Sequence, residues 1–205
     1  MSVDEKTGIQ ALERLHETKP VRPGLVERLE FEYRRHGTLC LIANFDVVTG
    51  EILSPTLGPT RTEADFAAHL EATIETDPDA TWIFVADQLN THHSATLVEL
   101  VAKRCGIEDA LGIKGQVGIL KSKRTRREFL QETAHRIRFV YTPRHCSWLN
   151  QVEIWFSILA RRLLKRASFT SLDVLQTRVL NFLHYFNHVL KKPFRWTYTG
   201  RPLQA

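Results

Sequence analysis

The run Trp82-Ile83-Phe84-Val85-Ala86 constrains the fold of this chain more than any other stretch. Five apolar residues of strand-forming type, closed by the polar sequence Asp87-Gln88-Leu89-Asn90, predict a central strand buried on both faces. In an α/β architecture, an ionised Asp87 at the C-terminal end of that strand stands at the lip of the sheet, where such folds place their ligands. The strand therefore points to a site as well as to a fold class.

A second carboxylate lies in an unusual place. In the segment running from Tyr141 to Phe156, Pro143 favours an extended lead-in and Ser147 is a good N-cap. Leu149, Val152, Phe156, Leu159 and Leu163 then recur on one face of a helix. At roughly 100° per residue, Glu153 falls about 40° past the edge of this apolar arc, where core meets solvent. A carboxylate in a first helical turn can simply complement the helix dipole. Paired with Asp87 at a sheet lip, it can instead hold a cation. Trp148 and Trp155 both read as core residues.

Composition bounds the functional classes. With 205 residues and 43% hydrophobic content, the chain can build one α/β domain with a real core. No window has the roughly 18 to 20 apolar residues of a membrane span, and the N-terminus lacks a signal-peptide pattern. Three cysteines without CxxC spacing fit a reducing, cytoplasmic compartment. His145 with Cys146, and the pair His92-His93, lack a second ligand pair at zinc spacing. His92 can face a phosphate or a water beyond the acids, or can be a helix-start histidine bonded to backbone.

The net charge of +5 matters less than its distribution. Lys121, Lys123, Arg124, Arg126 and Arg127 form one dense cluster, Arg161, Arg162, Lys165 and Arg166 a second, and Lys191, Lys192, Arg195 and Arg201 a basic end. Such clusters suit the sequence-independent, salt-sensitive contacts made to nucleic-acid phosphates. The second cluster also complements the C-terminal dipole of its own helix. Elsewhere, residues 9–36 carry Pro20 and Pro23 and read as a loop with one short strand or turn. Leu39 to Phe45 read as a strand turning at Asp46 into Glu51-Ile52-Leu53, residues 62–76 and 93–104 as helices, and Arg136 to Tyr141 as another strand. A last helix is capped by Thr170 or Ser171. With no repeat or linker, one domain is expected over 1–205.

Asp4-Glu5-Lys6-Thr7, Asp87-Gln88-Leu89-Asn90-Thr91-His92 and above all Ser147-Trp148-Leu149-Asn150-Gln151-Val152-Glu153 together resemble the catalytic domain of mariner-type DDE transposases, in their bacterial insertion-sequence branch. The resemblance covers nearly the whole chain. It implies a ribonuclease H-like mixed sheet flanked by helices. It makes Asp4, Asp87 and Glu153 the catalytic acids, holding two Mg²⁺ or Mn²⁺ ions, with His92 and Asn150 supporting them. DNA is the implied partner; the sequence leaves the oligomeric state open, a homodimer being one option. Oxygen donors suit hard divalent ions. Two such ions about 3.5 to 4 Å apart can serve the attacking and leaving oxygens of an in-line phosphoryl displacement.

Two departures stand out. Sixty-five residues separate Asp87 from Glu153, and the surplus maps to an insertion at 105–132, either a DNA-side feature or a solvated loop and helix. Only Met1-Ser2-Val3 precede Asp4, whereas in the family the first acid comes near the end of the first strand. That strand is therefore expected to be largely missing, along with upstream helix-turn-helix modules. Asp46 is the rival for first acid, but the strand it ends should run antiparallel to the first and point away from Asp87. The expected function is hydrolysis and strand transfer in DNA transposition. The alternatives are an inactive remnant that only binds DNA or dimerises, and a stand-alone ribonuclease H-like nuclease.

Overall fold

The computed structural model describes residues 1–193 apart from 18 and 29, so Arg195 and Arg201 lie outside the described residues. Strands β1 (Ser2–Arg14), β2 (Tyr33–Phe45), β3 (Ile52–Gly58) and β4 (Trp82–Ala86) are joined by helix α1 (Glu63–Ile74) between β3 and β4. Helix α2 (Ala95–Cys105), a small hairpin of β5 (Gly112–Ile113) and β6 (Val117–Gly118), helix α3 (Lys123–Leu130) and strand β7 (Ile137–Tyr141) follow. Helices α4 (Val152–Leu159) and α5 (Leu172–Tyr185) complete the fold. The main sheet has the order β3-β2-β1-β4-β7, with β1 antiparallel to β2, and β4 and β7 parallel to β1.

Two apolar layers sandwich this sheet. Phe66 and Leu70 of α1, Val98 and Val101 of α2, and Phe84 and Phe139 of the parallel strands pack on one face. Trp155, Phe156 and Leu159 of α4 and Leu175 and Val179 of α5 cover Leu41, Ala43 and Phe45 on the other. The helices begin where local chemistry allows. Thr62 and Asp65 form a reciprocal capping box for α1, and Ser94 and Ser171 accept from backbone N–H groups at the starts of α2 and α5.

Several expectations change. Strand β1 is not a fragment ending at Asp4: it continues for ten residues beyond it and pairs with β2 as far as Arg14↔Tyr33. The proline-containing stretch read as loop is thus the end of a long ribbon, closed by bridges Lys19↔Arg28 and Arg22↔Leu25. Strand β4 is buried on one face only, since α4 and α5 cover β1 to β3 and leave Ile83 and Val140 about two-fifths exposed. Ser147 does not cap α4. It opens a 3-10 turn, Ser147–Leu149, and the helix starts only at Val152. Residues 105–132 hold the β5–β6 hairpin and α3, anchored by buried Leu120 and Leu130. Among the described residues no helix is long and apolar enough to cross a membrane.

One polar knot crosses the α1 layer. Asn44 of β2 is fully buried and its Nδ2 donates to Thr73 Oγ1 and to His69 Nε2, 2.7 Å away. The His69 ring therefore carries its proton on Nδ1, facing Thr56 Oγ1 at 2.8 Å. Burial pushes its pKa down to about 4. Between about pH 6.5 and 4 the unfolded chain then binds the extra proton, so stability falls as pH falls through that window. The whole window is worth roughly 3 kcal/mol. Denaturant unfolding at pH 7 and at pH 4.5 should show this loss, and a His69→Gln variant should show less of it by about that amount.

Candidate active site

Strand β1 and β4 are joined in parallel only at the edge of the site. Val85 N–H donates to Met1 O at 2.7 Å, and Ser2 is the ladder partner of Val85. Past this point the strands separate, and the groups at the opening are charged. Alternation along β1 sends Val3 and Glu5 toward α1 and sends Ser2 and Asp4 toward α4.

His92, in the middle of the 3-10 turn Thr91–His93, is fully buried at this opening. Its Nε2 lies 2.9 Å from Glu5 Oε2 and its Nδ1 lies 2.9 Å from Asp87 Oδ1. Both ring nitrogens face carboxylates, so the ring donates from both and carries a charge. Burial opposes that charge, but the bonds to Asp87 and Glu5 outweigh it and lift the His92 pKa to about 9. The same bonds overcome burial at Glu5 and at Asp87 and hold both carboxyls below their ordinary values. Phe66 packs against the ring with centroids 4.5 Å apart, and Thr91 Oγ1 donates to Glu5 Oε1.

Asp4 is the odd carboxylate. Burial, with the charge of Asp87, pushes its pKa up to about 7, although it accepts from the Glu5 backbone N–H at 2.8 Å. Carboxylate oxygens of Asp4 and Asp87 and a nitrogen of His92 lie within 4.8 Å of one another. Asp46, the rival first acid, instead folds back on its own hairpin turn, accepting from Val48 N–H and Thr49 Oγ1.

Asn150 joins this group to α4. Fully buried, it donates from Nδ2 to Val3 O at 2.8 Å and to Asp4 Oδ2 at 3.3 Å, while its Oδ1 accepts from Ser2 Oγ. Ser2 Oγ in turn accepts from Val152 N–H. Glu153, three residues after Asn150, is exposed in the first turn of α4 and is not among the acids that converge on His92. The sequence reading missed Glu5, since an acid beside Asp4 on a strand should point away from it. It does so, and meets His92 there.

The basic residues divide by what they already hold. Arg126 is engaged internally, donating to His93 O and Leu120 O. Arg124 pairs with Glu128, Lys123 reaches Gln88 O and Asn90, and Lys121 is exposed. Lys123, Arg127, Arg144 and His145 share a cavity of about 810 Å³ with Gln88, the neighbour of Asp87. Arg144 was absent from the sequence expectations, and His145 entered them only as a zinc candidate. Arg161, Arg162, Lys165 and Arg166 are exposed, and the first two line a second cavity of about 590 Å³ with Lys191 and Lys192.

A family model described as DDE superfamily endonuclease matches residues 1–176. The chain belongs to the DDE superfamily of endonucleases. Comparison with curated proteins gives no match. Among solved structures, the DDE domain is similar to the Mos1 transposase in its paired-end complex with the left transposon end, at 13% identity and a TM-score of 0.53. It is also similar to the Mos1 mariner paired-end complex with Mn, at 14% identity and a TM-score of 0.55. Each match covers 89% of this chain, which spans about half the length of those chains, 46% and 47%. The similarity confirms the ribonuclease H-like fold.

The Glu5–His92–Asp87 chain carries an expected outcome. A Glu5→Gln variant replaces the charged partner of His92 by a neutral amide and so loosens one anchor of Asp87, which should weaken binding of added Mn²⁺ by about 10- to 100-fold. The Mn²⁺-dependent rise in Tm is the measurement. A variant with the wild-type rise and unchanged circular dichroism would show that Glu5 does not set the Asp87 geometry.

Proposed function

We propose that this DDE domain is the catalytic part of a DNA transposase, cutting a phosphodiester at an element's end and joining the freed 3′-hydroxyl to target DNA. The observation that carries this reading is the charge imbalance at the sheet opening. Three buried or half-buried carboxylates, on Asp4, Glu5 and Asp87, gather around one histidine cation, and burial together with the charge of Asp87 raises the Asp4 pKa. A hard cation answers that imbalance, and oxygen donors are what such a cation takes.

Asp4 and Asp87 would hold a pair of Mg²⁺ or Mn²⁺ ions, with Glu153 completing the ligand set from the first turn of α4. When bound, such a pair supplies activation of the attacking oxygen and stabilisation of the leaving one. The chain's own residues do the remaining work. His92 keeps Asp87 ionised and fixed, and Asn150 fixes both Asp4 and the start of α4. Lys123, Arg127 and Arg144 draw the DNA backbone toward Gln88 and the acids, and Arg161, Arg162, Lys165 and Arg166 extend the basic surface beyond the C-terminal end of α4. The free cysteines Cys40, Cys105 and Cys146 fit action in the reducing cytoplasm, and a homodimer fits an enzyme that handles two element ends.

One observation favours a second reading. Glu153 stands exposed and apart from the converging acids, as in a domain that binds DNA without cutting it. Nicking of supercoiled plasmid in Mn²⁺ separates the two. Wild-type protein should nick, and an Asp87→Ala, Glu153→Ala double variant should fall to background. Salt-sensitive DNA binding without nicking by either protein would favour the binding-only reading.

A further inference from the structure

The segment 105–132 leans on the loop that carries Asp87. Buried Leu120 and Leu130 root α3 in the core, and Ser122 and Thr125 cap it reciprocally. From that base, two cations of the helix reach the loop between β4 and α2. Lys123 Nζ donates to Gln88 O at 2.7 Å and to Asn90 Oδ1 at 2.9 Å, and Arg126 Nε donates to His93 O at 2.6 Å. The loop is thus gripped near both of its ends, by hydrogen bonds of the stronger, charge-assisted kind. Inside the grip, Leu89 N–H donates to Asp87 Oδ1 at 2.8 Å, and His92 Nδ1 holds the same oxygen at 2.9 Å.

Arg126 is spent on carbonyls, whereas Lys123 is exposed and lines the basic cavity with Arg127, Arg144 and Gln88. An ammonium has three N–H groups, and the loop takes two. Burial and the charge of Arg144 pull the Lys123 pKa below its ordinary value, and an anion relieves such crowding of cations. We infer that Lys123 is a positioning residue that bridges DNA to the Asp87 loop, giving its third N–H to a backbone phosphate while the other two keep Gln88 and Asn90 in place. A phosphate bonded to the ammonium fixes the long side chain once, so the bonds to the loop then form without that entropy cost. A strand in the cavity therefore tightens the loop that sets Asp87. This inference rests on the proposed action on DNA.

The test is hydrogen exchange of residues 87–94 in EDTA, with and without a saturating short paired duplex. The wild-type loop should exchange about tenfold more slowly with duplex bound. Lys123→Met should bring that ratio below about twofold, and Asn90→Ala, which keeps one of the two bonds, should give an intermediate ratio at unchanged duplex affinity. Arg144 lines the same cavity but makes no hydrogen bond to the loop among the described residues, so Arg144→Gln should weaken binding and keep the full ratio once saturated. A wild-type ratio in Lys123→Met or in Asn90→Ala overturns the bridge, because a purely structural contact would change exchange of the free protein and leave the ratio alone. An equal fall in Lys123→Met and Arg144→Gln overturns it too, since cations that only attract DNA would behave alike. If wild-type protein binds the duplex and the loop does not respond, the bridge falls and the proposed function stands; if it binds no duplex, both fall.

Discussion

A single buried cation holds the centre of this domain together. Strands β1 and β4 share one ladder pair before they diverge, so the sheet's own hydrogen bonds do not fix the opening between them. His92 does, by facing Glu5 on β1 with one nitrogen and Asp87 beyond β4 with the other. A buried imidazolium between two carboxylates is stable because both partners are present, and removing either leaves an uncompensated charge in a low-dielectric setting. The placement of Phe66 under the ring, and of Tyr141 Oη donating to His92 O at 2.7 Å, shows that the α1 layer and β7 are built around it.

Asn150 makes the second connection, and it is neutral. By touching Ser2, Val3 and Asp4 at once, it ties the start of α4 to the first strand at the same level as the acids. The two faces of the sheet thus reach the site through different chemistry: an ionic bridge on the α1 side, an amide on the α4 side. Glu153 and Trp148, on either side of Asn150 in the chain, are both exposed.

Much of this was legible in the residues. The apolar run ending at Asp87, the strand turning at Asp46 and the helices expected from Thr62, from His93 and after Thr170 or Ser171 depend on local patterns, and local patterns survive in sequence. What failed depended on distant partners. Pairing of Ile9 with Leu39 crosses thirty residues, so the ribbon looked like loop. Trp148 looked like core because Ser147 looked like a cap, and the 3-10 turn that replaces the cap turns the ring outward. Glu5 gave no signal, since its importance comes from a histidine 87 residues away. Arg126 looked like its neighbours, and only the carbonyls it meets distinguish it.

The β1–β2 ribbon carries one more consequence. Asp4 and Glu5 are consecutive, so a slip of one residue in the ladder would exchange the faces on which they stand. Yet the same ribbon runs some ten residues outward, where a long hairpin is open to insertion and deformation. The ladder breaks register twice on the way, between Lys6 and Ile9 and between Gln10 and Leu12. These irregularities act as expansion joints: a change of length or twist at the far tip can be absorbed there, and the frame that sets the two acids against Ala43 and Ile42 stays where it is.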